Sequence, residues 1–159
     1  MNYNFKKDLK DGKISEKRLF EILQEKCSQI VKVEFNDDYR YDLKIILNDN
    51  SYKTFEIKRD LFTERTGNIA IETYCRGKQS GINITQADFF VIHCKTNKEH
   101  FYCFDTNILK IEVERNKFNE ISGGDRDKFG NPLTKFVLLD IEKEKSLCVD
   151  LLEIKHIVF

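Results

Sequence analysis

Hydrophobic residues near the start of the chain recur at helical spacing, at Leu19, Phe20, Leu23, Cys27 and Ile30. This period is typical of an amphipathic helix that buries one face. Ser15 stands just before the pattern, where a serine hydroxyl can accept a hydrogen bond from a backbone N–H of the first turn. The pattern therefore predicts a helix over 16–29 with Ser15 as its N-cap.

Much of the remaining chain alternates between hydrophobic and polar residues, with the period of two that is typical of strands. We predict strands at 30–35, 41–47, 51–57, 68–75, 87–94, 100–105 and 135–141. Turns are predicted at Asn36–Asp38 and around Asn48–Ser51, a second helix at 106–116, and a loop at 122–132. With 135–141 returning to the sheet, these elements indicate a mixed α/β (α+β) sandwich.

The composition fits one domain that spans residues 1–159. The 159 residues are 40% hydrophobic and 34% charged, and one proline and seven glycines leave no segment that resembles a linker. No apolar run approaches the roughly 20 residues of a membrane span, and the polar start MNYNFKKDLKDGK is unlike a signal peptide. We therefore expect no membrane partner and a cytoplasmic location.

The cysteines and histidines are expected to be structural. Five cysteines, an odd number without a C-x-x-C pair, indicate reduced and mostly packed thiols. Cys94 and Cys103 lie near His93 and His100, but strand alternation would direct these side chains to both faces of a sheet, so we expect no zinc site. His156 also has apolar neighbours.

The charges balance overall but not locally. Equal numbers of basic and acidic residues, 27 of each, give a net charge of zero, which disfavours binding of nucleic acid by bulk electrostatics alone. Several basic side chains nevertheless cluster near the hairpin predicted over 41–57, namely Lys53, Lys58, Arg59, Arg65, Arg76 and Lys78.

That hairpin carries three charged groups, Asp42, Glu56 and Lys58, which alternate away from its hydrophobic residues. If the hydrophobic residues of both strands lie on the same face of the hairpin, the numbers of two residues that stand directly opposite each other must add to an even number. A total of 98 sets Asp42 opposite Glu56, and a total of 100 sets it opposite Lys58. A two-residue turn at Asp49–Asn50 would give 99 and send Asp42 to the other face. We therefore predict a connection with an odd number of residues, or a bulge.

Two carboxylates held a few ångströms apart repel each other, which raises a pKa unless a cation lies between them. Carboxylate oxygens with a main-chain carbonyl suit Mg²⁺ or Mn²⁺, with coordination positions left for water and a phosphate oxygen. A neighbouring Lys58 could orient or help deprotonate the attacking water, and could offset negative charge that develops on phosphorus. The pattern thus predicts a divalent-metal site.

Two alternatives stand beside this interpretation. One is a surface hairpin with an ordinary Asp–Lys cross-strand pair. The other is a site elsewhere, because acid-x-Lys also occurs at Asp8/Lys10, Asp11/Lys13, Asp42/Lys44 and Glu153/Lys155. Asp140 even precedes Glu153 by 13 residues. Only four residues follow Lys155, too few for a strand and helix that would enclose a site, so we favour Glu56 over Glu153.

A helix with Glu16, a strand, Asp42, a hairpin turn and then Glu56-Ile57-Lys58 resembles the PD-(D/E)XK nuclease superfamily, which includes Holliday junction resolvases. The resemblance covers roughly residues 12–95, and the segment after Asn68 is similar to that of phage-encoded endonuclease-like proteins. Tyr41 stands where the superfamily has a proline. The resemblance implies a restriction-endonuclease-like fold, with a mixed central sheet flanked by helices.

It also implies roles for individual residues. Asp42, Glu56 and the carbonyl of Ile57 would bind Mg²⁺ or Mn²⁺, and Lys58 would act on water. Glu16 would hold a water molecule that is bound to the metal, or would help to bind a second metal ion. We rank it ahead of Glu21 on the same helix.

The segment that follows supplies further candidates. Glu72 alternates away from Ile69 and Ile71 and could be an accessory acid if its strand lies beside Glu56. The candidates for contacts with DNA phosphates follow directly and are Arg76, Lys78, Gln79 and Ser80.

The predicted function is divalent-metal-dependent endonuclease cleavage of DNA, with branched or junction DNA as a candidate substrate and a bacterial cell or phage-infected host as the setting. A homodimer would allow two symmetric cuts. A non-catalytic nucleic-acid-binding or interaction domain that keeps the fold is the alternative, and hydrolysis of RNA by the same chemistry is a third hypothesis.

Overall fold

The computed structural model describes residues 5–36, 40–95, 98–115 and 117–159, and only the backbone of residues 5–11. Part of the turn predicted at Asn36–Asp38 lies outside the described residues. The helices are α1 (Phe5–Lys26), α2 (Thr63–Thr66) and α3 (Thr106–Glu114). The strands are β1 (Ile30–Phe35), β2 (Leu43–Leu47), β3 (Tyr52–Asp60), β4 (Asn68–Cys75), β5 (Lys78–Gln79), β6 (Phe89–Lys95), β7 (Glu99–Asp105), β8 (Asn119–Arg126), β9 (Pro132–Asp140) and β10 (Cys148–Asp150).

The first helix starts earlier than predicted, and the N-cap prediction at Ser15 is wrong. Ser15 lies inside α1 and is 1% exposed, with its hydroxyl 2.8 Å from Nδ1 of His93. The turns of α1 before Ser15 are mostly polar in sequence. Those turns therefore carry no amphipathic pattern that could mark where the helix starts.

A mixed six-stranded sheet in the order β1-β2-β3-β6-β7-β10 forms the centre of the molecule. All neighbours are antiparallel except β3 and β6, which are parallel. The chain between these two strands contains α2, β4 and β5. A parallel pair requires such a crossover, because the chain must return to the starting end of the sheet.

A second sheet, β5-β4-β9-β8, is entirely antiparallel. The loop predicted over 122–132 is therefore wrong in part, because β8 and β9 occupy both of its ends. Gly124 has φ +67° and a Cβ there would lie 2.8 Å from Oγ1 of Thr134, so a close strand contact requires this glycine. Residues 135–141 fall largely within β9, so the prediction that they return to the central sheet is wrong.

The two faces of the central sheet are covered differently. On the face that we call the helix face, α1 packs over a core that includes Leu43, Ile45, Phe55 and Ile57. On the opposite face, the second-sheet face, β4, β9 and α3 pack against β6 and β7. One helix, α1, thus covers one face, whereas a small sheet with the helix α3 covers the other.

The α3 helix, Thr106–Glu114, confirms the second helix predicted at 106–116. It begins after Asp105, whose carboxylate accepts hydrogen bonds from the N–H groups of Asn107 and Ile108 at 2.9 and 3.0 Å.

Within the described part of the chain, no helix has the length and apolar character that a membrane span requires.

Candidate functional site

The connection between β2 and β3 has the predicted odd number of residues. Leu43 pairs with Phe55, so paired residue numbers add to 98. The N–H of Leu47 donates to the carbonyl of Ser51 at 2.9 Å, which leaves the three residues 48–50 as the loop. Asn50 has φ +66°, the left-handed conformation that closes three-residue hairpins. The parity argument is confirmed.

Asp42 lies immediately before β2 and is fixed to β3 through its side chain. Its Oδ2 accepts a hydrogen bond from the N–H of Ile57 at 2.7 Å, and its own N–H donates to the carbonyl of Phe55 at 2.9 Å. If the β2–β3 register continued, the N–H of Ile57 would donate to the carbonyl of Tyr41. That carbonyl instead accepts a hydrogen bond from Nδ2 of Asn36 at 3.1 Å. The Asp42 carboxylate therefore takes the next position of the ladder, beside Glu56.

Glu56 and Lys58 lie two residues apart on β3 and share the second-sheet face. Nζ of Lys58 is 2.5 Å from Oε1 of Glu56, forming an ion pair. The two side chains differ in access to solvent, because Glu56 is 9% exposed and Lys58 is 44% exposed. The ammonium of Lys58 therefore closes the solvent side of a buried carboxylate.

The charges of this site perturb one another. Burial raises the pKa of Asp42 to about 6, and the nearby charge of Glu56 adds to the rise against the opposing effects of Lys58 and the Ile57 N–H. For Lys58, burial alone would lower the pKa, but Glu56 and Asp42 reverse the direction and raise it. Lys58 is therefore an ammonium at neutral pH. As an ammonium it can stabilise negative charge that develops nearby.

Glu72 does not lie on a strand beside Glu56, because β4 belongs to the second sheet. Its carboxylate nevertheless contributes to the field that raises the pKa of Lys58, which puts it within electrostatic reach of the site. The hydroxyl of Ser80 donates to Oε1 of Glu72 at 2.6 Å. Gly81 has φ +53°, and a Cβ there would overlap the carbonyl oxygen of Glu72, so glycine is needed for this approach.

The other predicted DNA contacts lie at an exposed turn. Arg76, with φ +53°, and Gly77, with φ +75°, connect β4 to β5 in a two-residue hairpin. The guanidinium of Arg76 pairs with the carboxylate of Asp125 at 3.3 Å. Lys78 and Gln79 are exposed on β5. Contact of these side chains with DNA stays a prediction.

Glu16 lies on α1, which covers the helix face, whereas Glu56 and Lys58 lie on the second-sheet face. The side chain of Glu16 is half-buried. Glu21 is exposed and pairs with Arg18 at 3.2 Å. A role for Glu16 in metal binding stays a prediction.

Thr85 is a contact of the site that the sequence patterns do not identify. Its buried hydroxyl lies 3.4 Å from Oε2 of Glu56, and its carbonyl accepts a hydrogen bond from Nζ of Lys110 at 2.7 Å. Lys110 also lines a cavity of about 330 Å³ between α3 and the second sheet. The sequence holds no local signal for this contact, because Thr85 and Glu56 are 29 residues apart.

The competing site around Glu153 is not assembled in this structure. Glu153 and Lys155 are exposed near the end of the chain, whereas Asp140 lies at the end of β9 in the second sheet. The Asp140 carboxylate accepts hydrogen bonds from the N–H groups of Glu142 and Lys143 at 3.0 and 3.2 Å. Its surroundings are those of a turn.

Two carboxylates are fewer than a protein-only metal site requires. Among the residues that the structure describes, no group of three or more His, Cys, Asp and Glu side chains is placed to hold a metal ion. Any ion at Asp42 and Glu56 would therefore need main-chain, solvent or substrate oxygens as well, which is common for Mg²⁺.

Comparison of the chain with protein-family models, curated proteins and solved structures finds no match.

Proposed function

We propose that this chain is a divalent-metal-dependent endonuclease that hydrolyses phosphodiester bonds of DNA. The observation that carries the proposal is the β2–β3 register, which sets Asp42 beside Glu56 with Lys58 at 2.5 Å from the Glu56 carboxylate. Two acids and one ammonium, on β3 and on the residue that precedes β2, supply the groups that such hydrolysis uses.

The chemistry of the donors fits a hard divalent cation. Burial and the charge of Glu56 together raise the pKa of Asp42, so this position holds more negative charge than its surroundings stabilise. Asp42 and Glu56, with the carbonyl of Ile57, would hold Mg²⁺ or Mn²⁺ through oxygen ligands. A bound ion would polarise a phosphoryl oxygen and lower the pKa of the water that attacks phosphorus.

Lys58 would act as a fixed positive charge beside the reacting phosphate. Its raised pKa keeps it protonated, and its partly exposed side chain can reach a substrate at the mouth of the site. Negative charge grows on the phosphoryl oxygens as water adds, and a nearby ammonium stabilises that charge. We propose this role rather than that of a general base.

The arrangement of elements also supports a restriction-endonuclease-like fold, which we propose for residues 1–159. The strand that follows Asp42 and the strand of Glu56-Ile57-Lys58 are antiparallel neighbours inside a mixed sheet, and α1 packs across them. DNA with a branch or junction is the candidate substrate, with a homodimer as the form that makes two cuts.

A nicking assay on supercoiled plasmid and on a synthetic four-way junction, with Mg²⁺ or Mn²⁺, tests this function. We expect metal-dependent cleavage that Lys58→Met lowers by about 10²- to 10³-fold, since one electrostatic stabiliser is lost. Glu56→Gln should lower it at least as much. Glu153→Gln and Lys155→Met are matched controls from the competing pattern and should cleave like the parent chain. Cleavage that survives Glu56→Gln would contradict this site.

A non-catalytic nucleic-acid-binding domain is the second candidate. The observation that favours it is the ion pair itself, since Lys58 already neutralises the buried Glu56 carboxylate without a metal. This alternative predicts that the chain binds the junction, that EDTA leaves binding unchanged, and that no metal produces cleavage. An RNA duplex of the same sequence, tested in parallel, separates RNA hydrolysis from DNA hydrolysis.

A further inference from the structure

Among the described residues, β1 is an edge strand of the central sheet. In the part of the chain that the structure describes, β2 is the only strand that pairs with it. An edge strand of six residues with a free side presents unpaired N–H and C=O groups, which favour the addition of another strand.

The hydrogen-bond pattern identifies which residues present those groups. Asn36 donates its N–H to the carbonyl of Asp42 at 2.8 Å, and Lys32 and Glu34 share the same register with β2. Every second residue of an antiparallel strand faces its partner, so the backbone groups of Lys32 and Glu34 face β2. Those of Val33 and Phe35 face outward.

β1 exposes two apolar side chains, Val31 and Phe35, at the edge of the sheet. Val31 is 64% exposed and Phe35 is 53% exposed, and Phe35 contacts the ring of Phe20 on α1 with centroids 5.9 Å apart. On the opposite side of the strand, Lys32 and Glu34 form an exposed ion pair of 2.7 Å. The strand therefore has one hydrophobic side and one side with a cation and an anion.

We propose that β1 pairs antiparallel with β1 of a second copy of this chain, about a two-fold axis through Val33. In this register Val33 faces Val33 of the second copy, Lys32 faces Glu34 of the second copy, and Glu34 faces Lys32 of the second copy. The outward backbone groups meet as hydrogen-bonded pairs, and both oppositely charged pairs face each other directly. The sequence of β1 is thus complementary to itself.

The other three edges lack these properties. β10 and β5 contain three and two residues, too short for a stable added strand. β8 is polar, contains Gly123 and Gly124, and has a register shift between Gly123 and Arg126. The irregularity of β1 lies at its start, between Ile30 and Lys32, which leaves Lys32–Phe35 regular for pairing.

Such a dimer would place both candidate sites on the same side of one continuous sheet, because the axis is normal to that sheet. The two β3 strands would be five strand spacings apart, about 24 Å. Only this consequence rests on the proposed function, since the pairing itself concerns the edge alone.

Sedimentation equilibrium of the full chain tests the pairing without reference to cleavage. We expect the parent chain to have twice the 18.9 kDa mass of one copy. Lys32→Glu and Glu34→Lys each set like charges opposite one another twice and should weaken association by about tenfold or more. The double variant Lys32→Glu/Glu34→Lys restores opposite charges and should restore the dimer. Lys145→Glu, which places like charges on the exposed pair with Glu142, is the matched control and should remain a dimer.

A monomeric parent chain at the highest attainable concentration would overturn the proposal. Dimers that persist in both single variants would place the interface elsewhere, which also overturns it. A folded double variant that stays monomeric would rule out this register. Circular dichroism of every variant separates loss of association from loss of folding, and none of these outcomes depends on whether the chain cleaves DNA.

Discussion

Two polar clusters lie on opposite faces of the central sheet, and both combine a carboxylate with a basic side chain in different surroundings. On the second-sheet face, Glu56 and Lys58 lie beside Asp42. On the helix face, His93 lies between Ser15 and Glu99, with its ring nitrogens 2.8 Å from the Ser15 hydroxyl and 3.3 Å from the Glu99 carboxylate. The comparison shows that residue type alone does not distinguish a candidate site from a structural cluster.

The helix-face cluster has the composition of a hydrolase triad but none of its access. Ser15 is 1% exposed and His93 is 2% exposed, so no substrate can reach the hydroxyl. The His93 ring stacks on Phe101 with centroids 4.1 Å apart, and burial lowers its pKa. A neutral imidazole with both nitrogens bonded is a packed core residue, as expected for His93 from its apolar neighbours.

The second-sheet cluster differs in charge balance and exposure. It contains two carboxylates against one ammonium, and the ammonium is partly exposed. Excess charge in a partly buried position lowers stability unless a ligand neutralises it, which is common at functional sites. Charge imbalance and access to solvent are therefore what set this cluster apart.

The largest effect on stability is expected at the helix-face cluster. His93→Ala removes a stacked aromatic ring and its contacts with the Ser15 hydroxyl and the Glu99 carboxylate, so we expect the free energy of unfolding to fall by about 3 kcal/mol. Urea denaturation measures this change. His156→Ala alters an exposed histidine and should have an effect within about 0.5 kcal/mol.

Junction cleavage by His93→Ala, measured well below its unfolding midpoint, should match that of the parent chain. A stable His93→Ala protein that has lost cleavage would contradict this assignment, because the helix-face cluster would then be needed for function.

A smaller effect with the opposite sign is expected for Asp42→Asn in metal-free protein. The pKa of Asp42 is about 6 in the folded chain and 3.8 for an ordinary aspartate. The folded state therefore holds an extra proton between about pH 4 and pH 6, so stability falls as the pH rises through this window. A shift of that size corresponds to at most about 3 kcal/mol, and screening at a half-buried carboxylate reduces it to about 2 kcal/mol.

The amide that Asp42→Asn introduces cannot ionise, so the variant should be more stable than the parent chain above about pH 6 and nearly equal below about pH 4. Thermal melts in EDTA across this range measure the difference. Mn²⁺ should stabilise the parent chain and not the variant. Equal pH profiles for both proteins would mean that Asp42 carries no excess charge.

The two clusters also differ in what the sequence can predict. Asp42, Glu56 and Lys58 lie on two consecutive strands, and alternation with a hairpin of fixed parity decides their relative positions. Ser15 and His93 are 78 residues apart and meet only because α1 packs across the sheet. No local pattern reports that packing, which explains why the sequence favours Ser15 as an N-cap.

The same distinction explains the errors in the fold. Five strands of the central sheet, β1, β2, β3, β6 and β7, are predicted close to their observed bounds, because each is a hydrophobic or alternating run with turn residues at its ends. The short edge strand β10 is not predicted, since three residues are too few for a pattern. The sequence of β8 predicts a loop because Gly123, Gly124 and the polar residues around them resemble a connection. Its strand conformation depends on pairing with β9 and on the close contact of Gly124 with Thr134, which are properties of the assembled sheet.

The smallest effect is expected for Glu72→Gln, which tests whether Glu72 belongs to the second-sheet cluster. Its charge acts on Lys58 through space, and it is the weakest of the three carboxylates that raise the pKa of Lys58. Glu72→Gln keeps an oxygen that can accept the Ser80 hydroxyl and removes only the charge. We expect cleavage to change by less than about threefold, because Glu56 and Asp42 still keep Lys58 protonated.

Glu120→Gln, on the exposed strand β8, is the matched control for the loss of one negative charge. Isothermal titration with Mn²⁺ completes the test. Loss of a residue that acts only through its electric field changes metal affinity little, whereas loss of a metal ligand lowers it strongly. A loss of affinity of about tenfold or more in Glu72→Gln alone would mean that Glu72 binds the metal directly. The cluster would then extend across both sheets, and the fold would hold its site between them rather than on one face.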